Sequence, residues 1–388
     1  MAALADGGDR NALRQGIRAL CASFAPSYWR DLERERAYPE AFVRALTEAG
    51  YLAAMIPEAY GGSGLGVTEG SIILEEINRS GGNAAACHAQ MYTMATVLRH
   101  GSEAQKAALL PAIARGEARL QAFAVTEPTS GSDTTHLETR ATRHGAGYVV
   151  QGAKVFTSRV AHSDYLLLLA RTTPLAEVAR PTEGLSVFLV DLGRALGHGI
   201  TATPIETMFN HETYALAIDG LELGADALVG REGEGFGAIL DSMNAERILI
   251  AAECVGDGDW FVAQASDYAR TRTVFGRPIG QNQGVAFPLA RAHAAIRAAD
   301  LMRLEAAARF DRGAACGAEA NMAKLLASEA SWQAANAAIQ TFGGYGFVRE
   351  VDVERKFRET RLYQVAPIST NLILTYLSER VLGLPRSY

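Results

Sequence analysis

The sequence predicts a multidomain α+β protein in three parts: a helical domain over residues 1–120, a β domain (sheet or small barrel) over 121–233, and a helical domain over 234–388. Three observations predict it. Apolar residues recur every three or four positions in the first part. Short β-rich runs alternate with turns in the second. Long stretches of helical periodicity return in the third. Helices of the outer parts are expected to pack together, with the sheet beside them.

Each element has a local reason. Leu13, Ile17, Leu20 and Phe24 mark one face of a helix over residues 12–24. Pro39 opens a second helical segment that stops near Gly50. Ser102 and Gln105 have capping-box spacing ahead of an apolar run, which Pro111 is expected to break or kink. The runs LQAFAVTE, YVVQG, KVFTS, DYLLLLART, LSVFLVDL and YALAIDG read as strands of an antiparallel sheet or small barrel. The two-proline link between Ala170 and Leu185 reads as a surface loop. Long helices are expected over 236–270, 283–312 and 318–342, then a glycine-rich break at 343–346 and a last helix from Thr370.

Composition narrows the function. The net charge is −6 with no basic run, which argues against a nucleic-acid surface. No stretch approaches the ~18 apolar residues of a membrane span. The four cysteines, Cys21, Cys87, Cys254 and Cys316, are scattered, so neither a disulfide framework nor a metal site is expected. The start MAALADGGDR does not read as a signal peptide, and reduced thiols fit a cytoplasmic protein.

Several motifs then fall in order. Residues 124–133 read AVTEPTSGSD, 268–279 read YARTRTVFGRPI with Gln283 following, and 340–346 read QTFGGYG. Residues 152–158 read GAKVFTS, and 55–62 read MIPEAYGG. Together they resemble the acyl-CoA dehydrogenase family along nearly the whole chain. That resemblance implies a C-terminal four-helix domain, FAD, an acyl-CoA substrate in fatty acid metabolism, and an electron-transferring flavoprotein as acceptor. It also implies a homotetramer, a dimer of dimers, in which two subunits share each FAD.

The residues fit such a cofactor physically. The strand Phe123, Val125 and Thr126 can offer backbone groups and a hydroxyl to a flavin edge. The turn after Pro128 brings backbone close to a ligand, and Ser132 can reach a pyrophosphate or a thioester arm. Phe156 stands where the family has Trp, keeping the apolar shield without the indole N–H; Ser158 stands for Thr and keeps the hydroxyl. Arg272 suits a pyrophosphate, Phe275 the adenine, and Gln283 a bond nearby. Gln340, Gly343 and Gly344 would approach from the neighbouring subunit. The resemblance adds Ser369 and Asn371 to the cofactor set. It assigns Asn244, Arg247, Ile368 and Ser132 to substrate.

One departure matters. The family's common catalytic Glu falls, without gaps, on Pro367. Proline accepts no proton and has no N–H to polarise the thioester, so either the Ile368 N–H substitutes or carbonyl activation is weaker or different here. Residues 244–252, NAERILIAA, match the helix on which isovaleryl- and long-chain members carry their Glu, and Glu246 takes that position. Glu246 is therefore the expected base, raised toward neutrality by desolvation, with Glu253 the weaker candidate. Branched or medium-to-long acyl chains follow from that placement and the small Ala366. A related oxidase, monooxygenase or carrier-protein-linked dehydrogenase is the alternative, and a non-catalytic acyl-CoA- or flavin-binding protein the third reading.

Overall fold

The computed structural model describes residues 7–386. In chain order the helices α1 (Gly7–Ala22), α2 (Pro26–Glu35), α3 (Glu40–Glu48), α4 (Val67–Arg79), α5 (Ala85–His100) and α6 (Glu103–Ala114) come first. The strands β1 (Leu120–Ala124), β2 (Arg140–His144), β3 (Gly147–Ser158), β4 (Tyr165–Arg171) and β5 (Leu185–Asp191) follow. A short α7 (Leu192–Ala195) leads to β6 (Ile200–Ile205), β7 (Thr213–Leu223) and β8 (Leu228–Val229). Then come α8 (Gly235–Thr271), the ribbon β9 (Thr273–Val274) and β10 (Arg277–Pro278), α9 (Gln283–Asp311), α10 (Gly317–Phe342), α11 (Val353–Arg361) and α12 (Thr370–Tyr376). The expected order, helical then β then helical, is the observed one.

The chain forms two compact units: residues up to Glu35 with Gly66–Ala84 and Asn244 onward, and Arg36–Leu65 with Ala85–Met243. The second unit holds an eight-stranded sheet in the order β6-β7-β3-β2-β4-β5-β8, with β1 alongside β4. Most pairs are antiparallel, but β1 runs parallel to β4, as β2 does at a single residue pair. Strand β4 is apolar on both faces because both are covered. Leu166 and Leu168 join Val150, Phe188 and Ile218 in one core, while Leu167 and Leu169 meet Met94, Val97, Leu110 and Ile113 in another.

Helix α6 starts at the expected box: Ser102 Oγ accepts from Gln105 N at 3.1 Å, and Gln105 Oε1 accepts from Ser102 N at 2.9 Å. Pro111 does not break it, and the helix runs on to Ala114. Leu109, Leu110 and Ile113 are buried in the core, and that burial outweighs the one hydrogen bond proline removes.

In the first unit the α9–α10 contact is built largely from small side chains. Ala292, Ala299 and Ala306 on α9 and Ala323, Ala327, Ala330 and Ala334 on α10 are buried. Gly258 of α8 lies so close to α9 that a Cβ there would fall 2.7 Å from Ile296 Cδ1. Asp311, at the end of α9, caps α4: its carboxylate accepts from Val67 N (2.7 Å), Thr68 N (3.0 Å) and Thr68 Oγ1 (2.5 Å). Asp311→Ala should therefore lower stability by about 2 kcal/mol in urea denaturation; an unmoved midpoint would show that water replaces the cap.

Among the described residues no helix is long and apolar enough to cross a membrane, and no cluster of His, Cys, Asp or Glu could hold a metal ion. The four cysteines are free and buried.

Candidate active site

Within the sheet unit, the flavin-type residues lie on β1, β3 and the turn after β1. Val155 N donates to Thr126 O at 2.9 Å, tying that turn to β3. Glu127 and Ser130 exchange backbone hydrogen bonds at 2.9 and 3.2 Å, closing the tight turn. Beneath it Lys154 Nζ donates to Val125 O (3.0 Å) and Glu127 Oε1 (2.8 Å), and Glu127 also accepts from Glu138 N and Thr139 N. Burial pulls the Lys154 amine down to about 8, against the opposing pull of Glu127. Sequence reading missed this pair, whose only signal was one charge in an apolar strand and another in the turn after one.

Strand β3 bulges opposite β7 between Lys154 and Thr157. The bulge throws Phe156 outward at φ +58, 64% exposed, although it is a large apolar ring. Ser158 is partly buried with its hydroxyl 3.5 Å from Thr213 Oγ1, Phe123 and Val125 are partly buried, and Ser132 lies exposed on the turn.

In the helical unit, a groove of about 610 Å³ collects Arg272, Phe275, Gln340, Gly343 and Gly344. Tyr268 stacked on Phe342 (4.3 Å between rings) forms one wall. Gly343 sits at φ 58, ψ −131, a conformation essentially reserved for glycine. A Cβ at Gly343 or Gly344 would meet nothing within 4 Å, so the backbone stays open to a ligand. Phe275 is fully exposed at φ +52. Gln283 is exposed and next to the groove residue Asn282 rather than in the lining itself.

Helix α8 holds Asn244, Glu246 and Arg247. Glu246 is 6% and Arg247 7% exposed. Arg247 Nη1 donates to Asn244 Oδ1 at 3.1 Å, while its Nε has no hydrogen-bond partner. Lys324 of α10, fully buried and unremarked in the sequence, donates from Nζ to Ile368 O at 2.7 Å. Burial pushes its amine down to about 8; Arg247 lowers it further, while Cys254 and Glu246 oppose. Glu253 is engaged elsewhere, accepting from Tyr363 OH at 2.8 Å. Pro367 follows a cis peptide bond and is exposed. Ser369 caps α12 by accepting from Leu372 N at 3.3 Å, and Asn371 is exposed.

A groove with a guanidinium, an exposed aromatic and bare glycine backbone suits an adenine dinucleotide, and an outward aromatic beside a hydroxyl suits a flat ring. Family models agree with that geometry. The acyl-CoA dehydrogenase N-terminal domain matches residues 8–117, the middle domain 122–220 and the C-terminal domain 233–381. The chain belongs to the acyl-CoA dehydrogenase family. It is thus an FAD-dependent oxidoreductase of the class acting on CH–CH groups. Acyl-CoA dehydrogenase FadE12 of Mycobacterium tuberculosis is 34% identical over 383 residues, 98% of this chain and 97% of that protein. The glutaryl-coenzyme A dehydrogenase–glutaryl-CoA complex superposes with TM-score 0.90 at 28% identity, covering 98% of this chain and 97% of that one. The prolyl acyl carrier protein oxidase AnaB superposes with TM-score 0.91 at 26% identity, covering 98% and 100%.

Proposed function

We propose that this chain oxidises an acyl thioester, with Glu246 removing the α-proton. The observation that carries this reading is a carboxylate 6% exposed on α8, beside Arg247 and within the field of Lys324. Burial withholds water from a carboxylate, which strengthens it as a proton acceptor. Bound FAD supplies the hydride acceptor. The residues assigned to hold it are Thr126, Phe156, Ser158, Arg272, Phe275, Gln340, Gly343 and Gly344, with Ser132, Gln283, Ser369 and Asn371 as further contacts. Asn244 and Arg247 are assigned to the substrate side. The Ile368 N–H is assigned to the thioester carbonyl, and the Lys324 contact to Ile368 O anchors the next peptide, on the other side of the Ile368 Cα.

An electron-transferring flavoprotein as acceptor, a homotetramer and a cytoplasmic setting complete the proposal. The carrier-protein-linked reading keeps support from Pro367, which alters the loop of the usual base. Anaerobic titration of the yellow enzyme with acyl-CoAs and acyl carrier thioesters separates the two by which carrier bleaches the flavin. No bleaching by either would sink both. Arg272→Ala should lower FAD retention by about 10-fold or more, since it removes a charge-assisted bidentate contact. Gel filtration followed by release of bound flavin reads this out, and full retention would remove Arg272 from the pyrophosphate site.

A further inference from the structure

Arg159 is the residue directly after Ser158. It is 7% exposed. Among the described residues its guanidinium makes no hydrogen bond and no ion pair. A buried guanidinium without a counter-charge costs several kcal/mol unless something repays it. Its backbone is pinned all the same. At φ 60 its N donates to Glu212 O (2.8 Å), and its carbonyl accepts from His162 N (3.1 Å) and Ser163 Oγ (2.9 Å). The carboxylate on this side, Glu212, is committed to His162 Nε2 at 2.8 Å.

The surroundings are polar and deficient in negative charge. Arg159 lies within electrostatic reach of Tyr38 and His211, and His211 within reach of His88. His211 Nδ1 has no hydrogen-bond partner. Burial and the Arg159 charge hold His211 well below its ordinary titration, so it stands neutral as a hydrogen-bonding group. Tyr38 donates to Gln121 Oε1 at 2.9 Å and stacks on His162 (4.4 Å). His88 packs on Tyr92, and Tyr92 on Phe123 of the flavin strand (6.0 Å). All these residues belong to the sheet unit.

We infer that Arg159, with His211, binds a carboxylate at the far end of the substrate's acyl chain, so that this enzyme takes short acyl thioesters bearing a second carboxylate. The planar fork of Arg matches a carboxylate, and Arg159 directly follows Ser158, a residue assigned to the flavin. A purely hydrocarbon tail would leave the charge unpaired, which sets this inference against the branched or long chain suggested by sequence. The inference rests on the acyl-dehydrogenase reading above.

The test uses FAD-loaded enzyme and matched pairs: valeryl- against glutaryl-CoA, and butyryl- against succinyl-CoA. Anaerobic flavin reduction should favour the carboxylate member by about 10²-fold in kcat/KM, and Arg159→Met should invert that preference, mainly through KM, with Arg159→Lys intermediate. Preference for the methyl-ended member in the parent enzyme overturns the inference while leaving the dehydrogenase reading intact. So does a preference that survives Arg159→Met, or a variant that loses FAD without changing preference, which would assign Arg159 to the flavin. If no thioester reduces the flavin, the dehydrogenase reading falls. Calorimetry with free glutarate then decides the anion site, which stands if binding is lost in Arg159→Met and falls if the parent binds nothing. Inorganic phosphate binding at Arg159 without any tail preference means an adventitious anion only and also overturns it.

Discussion

Glu246→Gln should retain its FAD and still bind acyl thioester, yet reduce its flavin about 10²–10⁴-fold more slowly. The substitution keeps side-chain volume and helix propensity and removes only the proton acceptor. Glu246 is almost wholly buried, so bulk water is poorly placed to substitute, and the loss should lie toward the upper end. Arg247 and Lys324 remain to act on whatever stands at this position. Stopped-flow reduction by the best substrate is the measurement. Reduction at the parental rate would remove Glu246 from the chemistry. Glu253 would be a poor successor, because its carboxylate accepts from the Tyr363 hydroxyl in a fully buried setting. Adding Pro367→Glu to Glu246→Gln places a carboxylate at the family's more common position and restores the missing N–H. Partial recovery would mark one pocket with two possible base positions.

The parts of the fold legible in the sequence were those set by local periodicity. Helix α8 was expected over 236–270 and spans Gly235–Thr271, a run that holds no proline to break it. The box at Ser102 was equally local. The parallel pairing of β1 with β4 was not, since alternation within a strand says nothing about which distant strand lies beside it. Pro111 misled for the same reason: propensity sees the lost N–H but not the core that holds the helix together. For the site, the resemblance named the groove residues Arg272 and Gln340, and the fold brings them together. Arg159 and Lys324 had no sequence signal of their own, and the Lys154–Glu127 pair only that of two charges in apolar surroundings, because a buried charge is defined by what surrounds it, and that is tertiary.

Lys356→Met should be the most destabilising of the substitutions considered, by about 3–5 kcal/mol. Lys356 is fully buried in the helical unit, its Nζ 2.6 Å from Asp257 Oδ1, 3.0 Å from Glu359 Oε2 and 2.8 Å from Gly82 O. Glu359 keeps Arg355 at 2.8 Å, but Asp257 has no other ion-pair partner among the described residues. Removing the amine strands a carboxylate that burial already pushes up to about 7 despite the attraction of Lys356. Losing that attraction raises it further. An acid whose folded pKa exceeds its unfolded one stabilises the fold as pH falls through the folded value. The variant begins to gain on the parent at a higher pH, and the parent gains equally once pH drops below about 7. The deficit should therefore be largest in alkali, shrink as pH falls toward 7, and level off below it. Urea denaturation at pH 9, 7 and 6 checks all three. A deficit independent of pH would show that Asp257 is not the group left stranded. Pairing Lys356→Met with Asp257→Leu should recover much of the loss, because an apolar pair of similar volume leaves no charge to desolvate.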